Sequence, residues 1–207
     1  EYSREDWPIE YYVNFTSILE GLGVSDDFDA NSTRVFEYNS TGSLLYEVTS
    51  QFDEENNFDS SNNAVGTVVF LMNGTTPSNT KRYYYIYFDT LNRQKQKPAY
   101  PTNLSYSWNG EEFNVNNTYL RWYVDTSRGE NTSGLYRVSD YANNEIFTMP
   151  GSNEKTIEYT QYSNGTYNFS FDLNGSAIFE HVGPVRIVVR QEGNETLWNQ
   201  ENNTEGR

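Results

Sequence analysis

Apolar and polar residues alternate one for one along stretch after stretch of this chain. A period of two admits only an extended backbone whose two faces meet different surroundings. In NGTYNFSFDLNGS, residues 164–176, Tyr167, Phe169, Phe171 and Leu173 hold one phase, and Asn168, Ser170, Asp172 and Asn174 hold the other. In PIEYYVNF, Ile9, Tyr11, Val13 and Phe15 share a phase that excludes Asn14. In NLSYSW, Leu104, Tyr106 and Trp108 oppose Asn103. Each reads as a strand with one buried face. The longest apolar run, VVFLM at 68–72, reads as a buried strand. It falls far short of the roughly 18 residues that span a bilayer, so any membrane attachment must lie outside this sequence, and no direct membrane insertion is expected.

The first half reads as strands at about 8–15, 33–38, 43–49, 65–72 and 82–89. Between the first two, Ile18, Leu19 and Leu22 have helical spacing that Gly21 and Gly23 stop, which predicts a short helical turn. NSTG at 39–42 reads as a hairpin turn, and RYYYIYF at 82–88 as a central strand. LNRQKQKPAYP, residues 91–101, is basic, poor in apolar residues and holds two prolines, so it reads as a linker. The alternative is a long loop within one sandwich. Strands resume near 103–108, 112–115, 118–125, 134–139, 144–148, 155–162, 165–173 and 184–192. The predicted fold class is all-β: two consecutive β-sandwich domains, 1–95 and 96–207, mostly antiparallel, with one short helical turn.

Composition agrees and excludes much else. Aromatics make up 16% of the 207 residues, and aromatic and β-branched residues among many turn formers favour strands. A chain of this length buries roughly 70% of its unfolded surface, enough for a real core. With 29 acidic against 14 basic residues the formal charge is −15. That disfavours nucleic acid and anionic membrane surfaces, both of which recruit Lys and Arg clusters. The absence of cysteine excludes disulfides, a thiol nucleophile and thiolate metal sites. The start, EYSREDWPIEYY, lacks the basic start and apolar core of a signal peptide, and a mature or excised chain is expected.

Asn-x-Ser/Thr triplets are the strongest motif. They begin at Asn14, Asn31, Asn39, Asn73, Asn103, Asn116, Asn131, Asn164, Asn168, Asn174, Asn194 and Asn202, none with Pro in the middle. From 26 Asn and 38 Ser or Thr in 207 residues, random placement gives roughly five such motifs. All three triplets of 164–176 fall on the polar phase, and Asn39, Asn73 and Asn194 sit in turn-like stretches. None interrupts a buried phase. A glycan is bulky and hydrated and tolerates only such places, so N-linked glycans at several sites, and with them export to the cell surface, are expected. The plainer alternative is that Asn, Ser and Thr are simply common on solvent faces and in β-turns.

Candidates for chemistry are weak by comparison. Asp53, Glu55, Asn57 and Asp59 alternate in FDEENNFD and resemble oxygen ligands for calcium. An EF-hand loop, however, needs Gly and Glu where Phe58 and Ala64 stand, and a solvated acidic loop is the stronger reading. DDFDAN at 26–31 reads mainly as a turn. His181, the single histidine, supports no catalytic triad. Acidic pairs such as Glu111 and Glu112 suit glycosidase chemistry in principle, but 29 acids nominate no particular pair. Surface aromatics such as Tyr12 or Tyr84 suit sugar stacking, though cross-strand packing explains them more simply. No catalytic residue, metal ligand or cofactor other than glycans is assigned.

The order WPIEYYVNF, then NSTRVFEYNSTGSLLYEVTSQFD, then GTVVFLMNGTTPSNTKRYYYIYFDT resembles a module of archaeal secreted and surface-layer-type proteins. A similar module opens some bacterial polysaccharide-lyase-like proteins. The resemblance continues through FNVNNTYLRWYVDTSRGENTSGLYRV, residues 113–138, and covers most of residues 7–190. It implies extracellular β-sandwich modules, often glycosylated, and carries over no active site. The related pattern has a DxDxDG-like loop before its VVF strand, whereas FDEENNFDSSNNAVG here lacks the turn glycine. The function so expected is a structural, non-enzymatic surface-layer or filament subunit that self-associates through strand edges. PIEYYVNF is the candidate donor strand, so that loss of residues 1–15 should leave a folded monomer without polymer. The alternative is a carbohydrate-binding or substrate-positioning module of a larger secreted protein. A free-standing glycoside-active enzyme is a third reading.

Overall fold

The computed structural model describes residues 2–110, 112–125, 134–142, 144–148, 158–161, 167–170, 176–192, 197–199 and 204–206. It is an all-β protein of several antiparallel sheets with one short helix and one 3-10 turn. The chain forms two compact units, residues 1–102 with 181–186, and residues 103–180 with 187–207. The sequence reading placed a single cut between 95 and 96. Residues 96–102 go with the first unit, and so does the short segment 181–186.

The first unit is a sandwich of two three-stranded sheets. One holds β1 (Arg4–Asn14), β5 (Val65–Thr76) and β4 (Ser50–Glu54) in the order β1-β5-β4. The other holds β3 (Leu44–Val48), β2 (Phe28–Tyr38) and β6 (Tyr83–Thr90) in the order β3-β2-β6. RYYYIYF, expected as a central strand, is therefore an edge strand among the described residues. The register of β1 on β5 pairs Ile9 with Phe70, Tyr11 with Val68 and Val13 with Gly66, which turns one phase of each strand inward. Val13, Val35, Val48, Val68 and Phe70 from the two sheets meet in one core with Phe15, Leu19 and Phe28. The helix α1 (Phe15–Gly21) starts at Asn14, whose side chain accepts the Ser17 N–H, an N-cap that satisfies an otherwise unbonded donor. Phe15, 1% exposed, stacks on Phe28 at 4.1 Å between centroids. Ile9, Val13 and Phe15 thus pack in this core, and β1 is a paired strand and not a free arm.

Residues 91–102, read as a linker, are strapped to the first unit after the 3-10 turn Leu91–Arg93. The Asp29 carboxylate accepts the Lys95 N–H at 2.8 Å, Arg34 donates to the Gln96 carbonyl at 2.7 Å, and the Tyr100 hydroxyl donates to Glu47 at 2.5 Å. Burial and the neighbouring Glu47 carboxylate push the Tyr100 phenol up to about 12. On the outer face of β4, residues 181–186 are docked by side chains that a period-two reading assigns to solvent. Gln51 Oε1 accepts the Val185 and Arg186 N–H groups, both at 2.9 Å. Its amide nitrogen donates to Asp53 at 2.7 Å, and Arg186 Nε reaches the other Asp53 oxygen at 2.7 Å. Arg186 also pairs with Glu10 at 2.9 Å.

The second unit contains a five-stranded antiparallel sheet in the order β11-β10-β9-β8-β7. Its strands are β7 (Ser105–Trp108), β8 (Glu112–Asn116), β9 (Leu120–Asp125), β10 (Gly134–Asp140) and β11 (Glu145–Thr148). Further strands are β12 (Glu158–Gln161), β13 (Tyr167–Ser170), β14 (Ser176–Val182), β15 (Ile187–Glu192), β16 (Leu197–Asn199) and β17 (Thr204–Gly206). They form a four-stranded sheet β12-β13-β16-β17 and a pair β14-β15. Phe179 packs edge-on against buried Phe113 at 4.4 Å and Tyr106 at 4.7 Å.

Candidate functional site

Two features of the first sandwich stand open to a partner. The first is a groove between the edge strands β1 and β6. Its walls include Ile9, Tyr11 and Val13 from β1, Phe70 from β5, and Ile86 and Phe88 from β6, around about 430 Å³. The wall is largely apolar because it is built from inward phases of β1, β5 and β6, and β1 and β6 have no further neighbour on that side among the described residues. Tyr11 remains 56% exposed and Ile18 of α1, at the same groove, 40%.

The second feature is the outer face of β2 and β6. The register pairs Arg34 with Tyr87, Phe36 with Tyr85 and Tyr38 with Tyr83, so these six share one face. Tyr83, Tyr85 and Tyr87 are 43%, 53% and 47% exposed. Phe36 meets Tyr87 edge-on at 5.2 Å, and Tyr38 meets Tyr85 at 4.8 Å. The hydroxyls of Tyr38 and Tyr87 share a hydrogen bond of 2.6 Å, which raises the Tyr38 phenol above its ordinary value. The sequence reading missed this surface. Its signal was the odd-numbered phase of YYYIY, hidden because both phases of β6 are aromatic.

Each residue singled out from the sequence has a place. Tyr12 is exposed on the opposite sheet, whereas Tyr84 points inward, packs on Phe70 at 4.9 Å and is no platform for a ligand. Burial, reinforced by Glu37, pushes the Tyr84 phenol well up. Asp53 is committed to Gln51 and Arg186. Asp59 accepts the Ser61 and Asn62 N–H groups in its own turn, which lowers its carboxyl below the usual range. The Asn57 carbonyl accepts from Asn63, and Glu55 is exposed. Asp29, in DDFDAN, is buried and holds the strap. Among the described residues no group of three or more acidic or histidine side chains converges as metal ligands would. His181 is half-buried at the end of β14. Glu112 accepts from the Asn114 amide at 2.7 Å, and Glu111 lies outside the described residues.

Of the candidate acceptors, Asn14, Asn31, Asn73 and Asn103 are exposed, and Asn39 and Asn116 half-buried. Asn39 Oδ1 accepts the Thr41 and Ser43 N–H groups and so organises the β2–β3 turn, where Gly42 takes a φ of 81°. Asn168 lies in β13 opposite Thr160. Asn131, Asn164, Asn174, Asn194 and Asn202 lie outside the described residues.

Fold and surface together define an all-β, sandwich-type protein with an open apolar edge and an aromatic outer face. Comparison with protein-family models, curated protein sequences and solved structures finds no match. No helix among the described residues is long and apolar enough to cross a membrane.

Proposed function

We propose that this chain is a structural glycoprotein of the cell exterior, a non-enzymatic subunit of an archaeal surface layer or extracellular filament that associates with copies of itself through strand edges. The observation that carries this reading is the apolar groove between β1 and β6, flanked by two edge strands. An edge strand presents a row of unbonded backbone groups, and proteins either protect such a row or use it for strand addition. An incoming strand with alternating apolar residues meets both demands at once, backbone pairing at the edge and side-chain burial in the groove. PIEYYVNF lines that groove and is already paired with β5, so in this reading it serves as acceptor and not as donor. The exposed Asn-x-Ser/Thr asparagines support a sugar coat, and so does the resemblance to archaeal surface modules.

The test is sedimentation and electron imaging of the wild type beside Tyr11→Lys with Ile18→Lys. Both residues are exposed at the groove, so the variant should fold with unchanged thermal stability and remain dispersed where the wild type forms sheets or fibres. Polymer of undiminished extent in that variant would sink the assembly reading.

The aromatic face of β2 and β6 favours a second reading, a carbohydrate-binding module of a larger secreted protein. Exposed tyrosine rings offer stacking surfaces, and their hydroxyls offer hydrogen bonds to sugars. Calorimetric titration with soluble polysaccharides decides it: heat that disappears in Tyr85→Ala supports binding, and no heat with any polysaccharide removes it.

A further inference from the structure

The fold divides the glycan acceptors of the first sandwich into two groups. A transferase reads a triplet through two side chains, the acceptor asparagine and the Ser or Thr two residues on. In Asn73-Gly74-Thr75 all three residues are exposed, and in Asn39-Ser40-Thr41 the last two are. The first lies in the bulged end of β5, where Gly74 takes a φ of 72°, and the second in the β2–β3 turn, and an enzyme cleft can take both. In Asn31-Ser32-Thr33 the asparagine is exposed, but Ser32 and Thr33 are each only 5% exposed. The Ser32 hydroxyl donates to the Asp29 carbonyl at 2.5 Å and accepts the Asp89 N–H at 2.7 Å. A register irregularity between Asp29 and Arg34 breaks the alternation that would have put Asn31 and Thr33 on one face. In Asn14-Phe15-Thr16 the middle residue is a core phenylalanine, and Thr16 Oγ1 accepts the Ala64 N–H at 2.8 Å. Neither of these two triplets can enter an enzyme without dismantling the sandwich.

We propose that Asn14 and Asn31 accept sugar only on the unfolded chain, before the first sandwich closes, whereas Asn39 and Asn73 also accept it on the folded protein. This rests on the glycoprotein reading above. Transfer joins Asn Nδ2 to the anomeric carbon of a saccharide carried on a lipid phosphate. The bond from that carbon to the phosphate oxygen breaks, the lipid phosphate leaves with the electron pair, and one amide proton is lost to a base. Both asparagines end exposed, so glycans attached early stay outside the closed sandwich. Later transfer at these sites runs through the unfolded fraction, on the order of 10⁻³ or less.

The experiment uses chain made without glycosylation, folded or held in urea just long enough to unfold and then diluted into the reaction. Each is given a solubilised oligosaccharyltransferase and its lipid-linked donor, and occupancy is read site by site by peptide mass spectrometry. Transfer to the briefly unfolded chain at all four sites, with at least tenfold slower transfer at Asn14 and Asn31 than at Asn39 and Asn73 on the folded protein, is the expected result. Similar rates at Asn31 and Asn39 on the folded protein overturn the proposal and leave the glycoprotein reading standing. No transfer at Asn14 and Asn31 even to the unfolded chain also overturns it. Native material free of sugar at every site overturns the glycoprotein reading itself.

Discussion

Arg82 grips both carboxylate oxygens of Glu37, Nε to Oε1 at 2.7 Å and Nη2 to Oε2 on the other side. The two side chains are only 13% and 7% exposed. The Tyr46 hydroxyl donates to the same carboxylate at 2.7 Å, and the remaining Arg82 nitrogen reaches the Asn73 carbonyl at 2.8 Å. A two-pronged pair of this kind is well bonded but has lost its water. Its worth lies less in net attraction than in the cost of breaking it.

Replacing Arg82 by Met therefore leaves Glu37 ionised and without its cation. Breaking such a pair costs about 3 kcal/mol, read as a lowered urea midpoint with an unchanged slope. The double variant Arg82→Met with Glu37→Leu should recover much of that loss, because no charge is then left behind. A double variant as weak as the single one would show that the pair itself, and not the abandoned charge, matters.

Acid should act on the same pair. Burial raises the Glu37 carboxyl, but the hydrogen bonds from Arg82 and Tyr46 outweigh it and hold the group below its ordinary value. A depressed folded value means that the unfolded chain takes up the proton first. The contribution of Glu37 is then complete above the ordinary carboxylate range, near 4.3, and drains away as pH falls through the lower folded value. Urea midpoints measured from pH 7 to pH 2.5 should fall more steeply in the wild type than in Glu37→Gln. Parallel profiles would remove Glu37 from the acid response.

Gly66 faces Val13 across β1 and β5. A methyl group there would collide with the Phe52 ring and with the Asp53 carbonyl oxygen, which is backbone. Gly66→Ala should cost about 1–3 kcal/mol, as overpacking of a filled core does. An unchanged thermal midpoint would show that the β4–β5 pair yields more readily than its packing suggests.

Gln51 works as a piece of surrogate backbone, holding the Val185 and Arg186 N–H groups on one oxygen. Gln51→Leu keeps the volume and removes that acceptor. Leaving buried donors unbonded costs about 1–3 kcal/mol. Hydrogen exchange at residues 185 and 186 should quicken well beyond that of Val68 in the core. Unchanged protection at those two amides would mean that other groups hold the segment.

What was legible in the sequence was local. Alternation placed Ile9, Val13 and Phe15 on an inward phase, and helical spacing after Asn14 marked the turn that became α1. The side to which a residue points along a strand depends only on its immediate neighbours. What covers that side depends on chain that arrives from far away, and only the tertiary structure decided it. Gln51 and Asp53 lie on the outward phase yet are buried, because residues 181–186 dock there. RYYYIYF became an edge and not a centre, because no later strand paired with its free side among the described residues. Asn31 turned outward, off the inward phase of Thr33 and Val35, through a bulge that no alternation foretold, and Arg82 found Glu37 across 45 positions of sequence. Strand formation is a short-range preference. The open groove follows from which strands remained without neighbours among the described residues, and the shielded acceptors from what distant chain packs against them, and both are settled by long-range pairing.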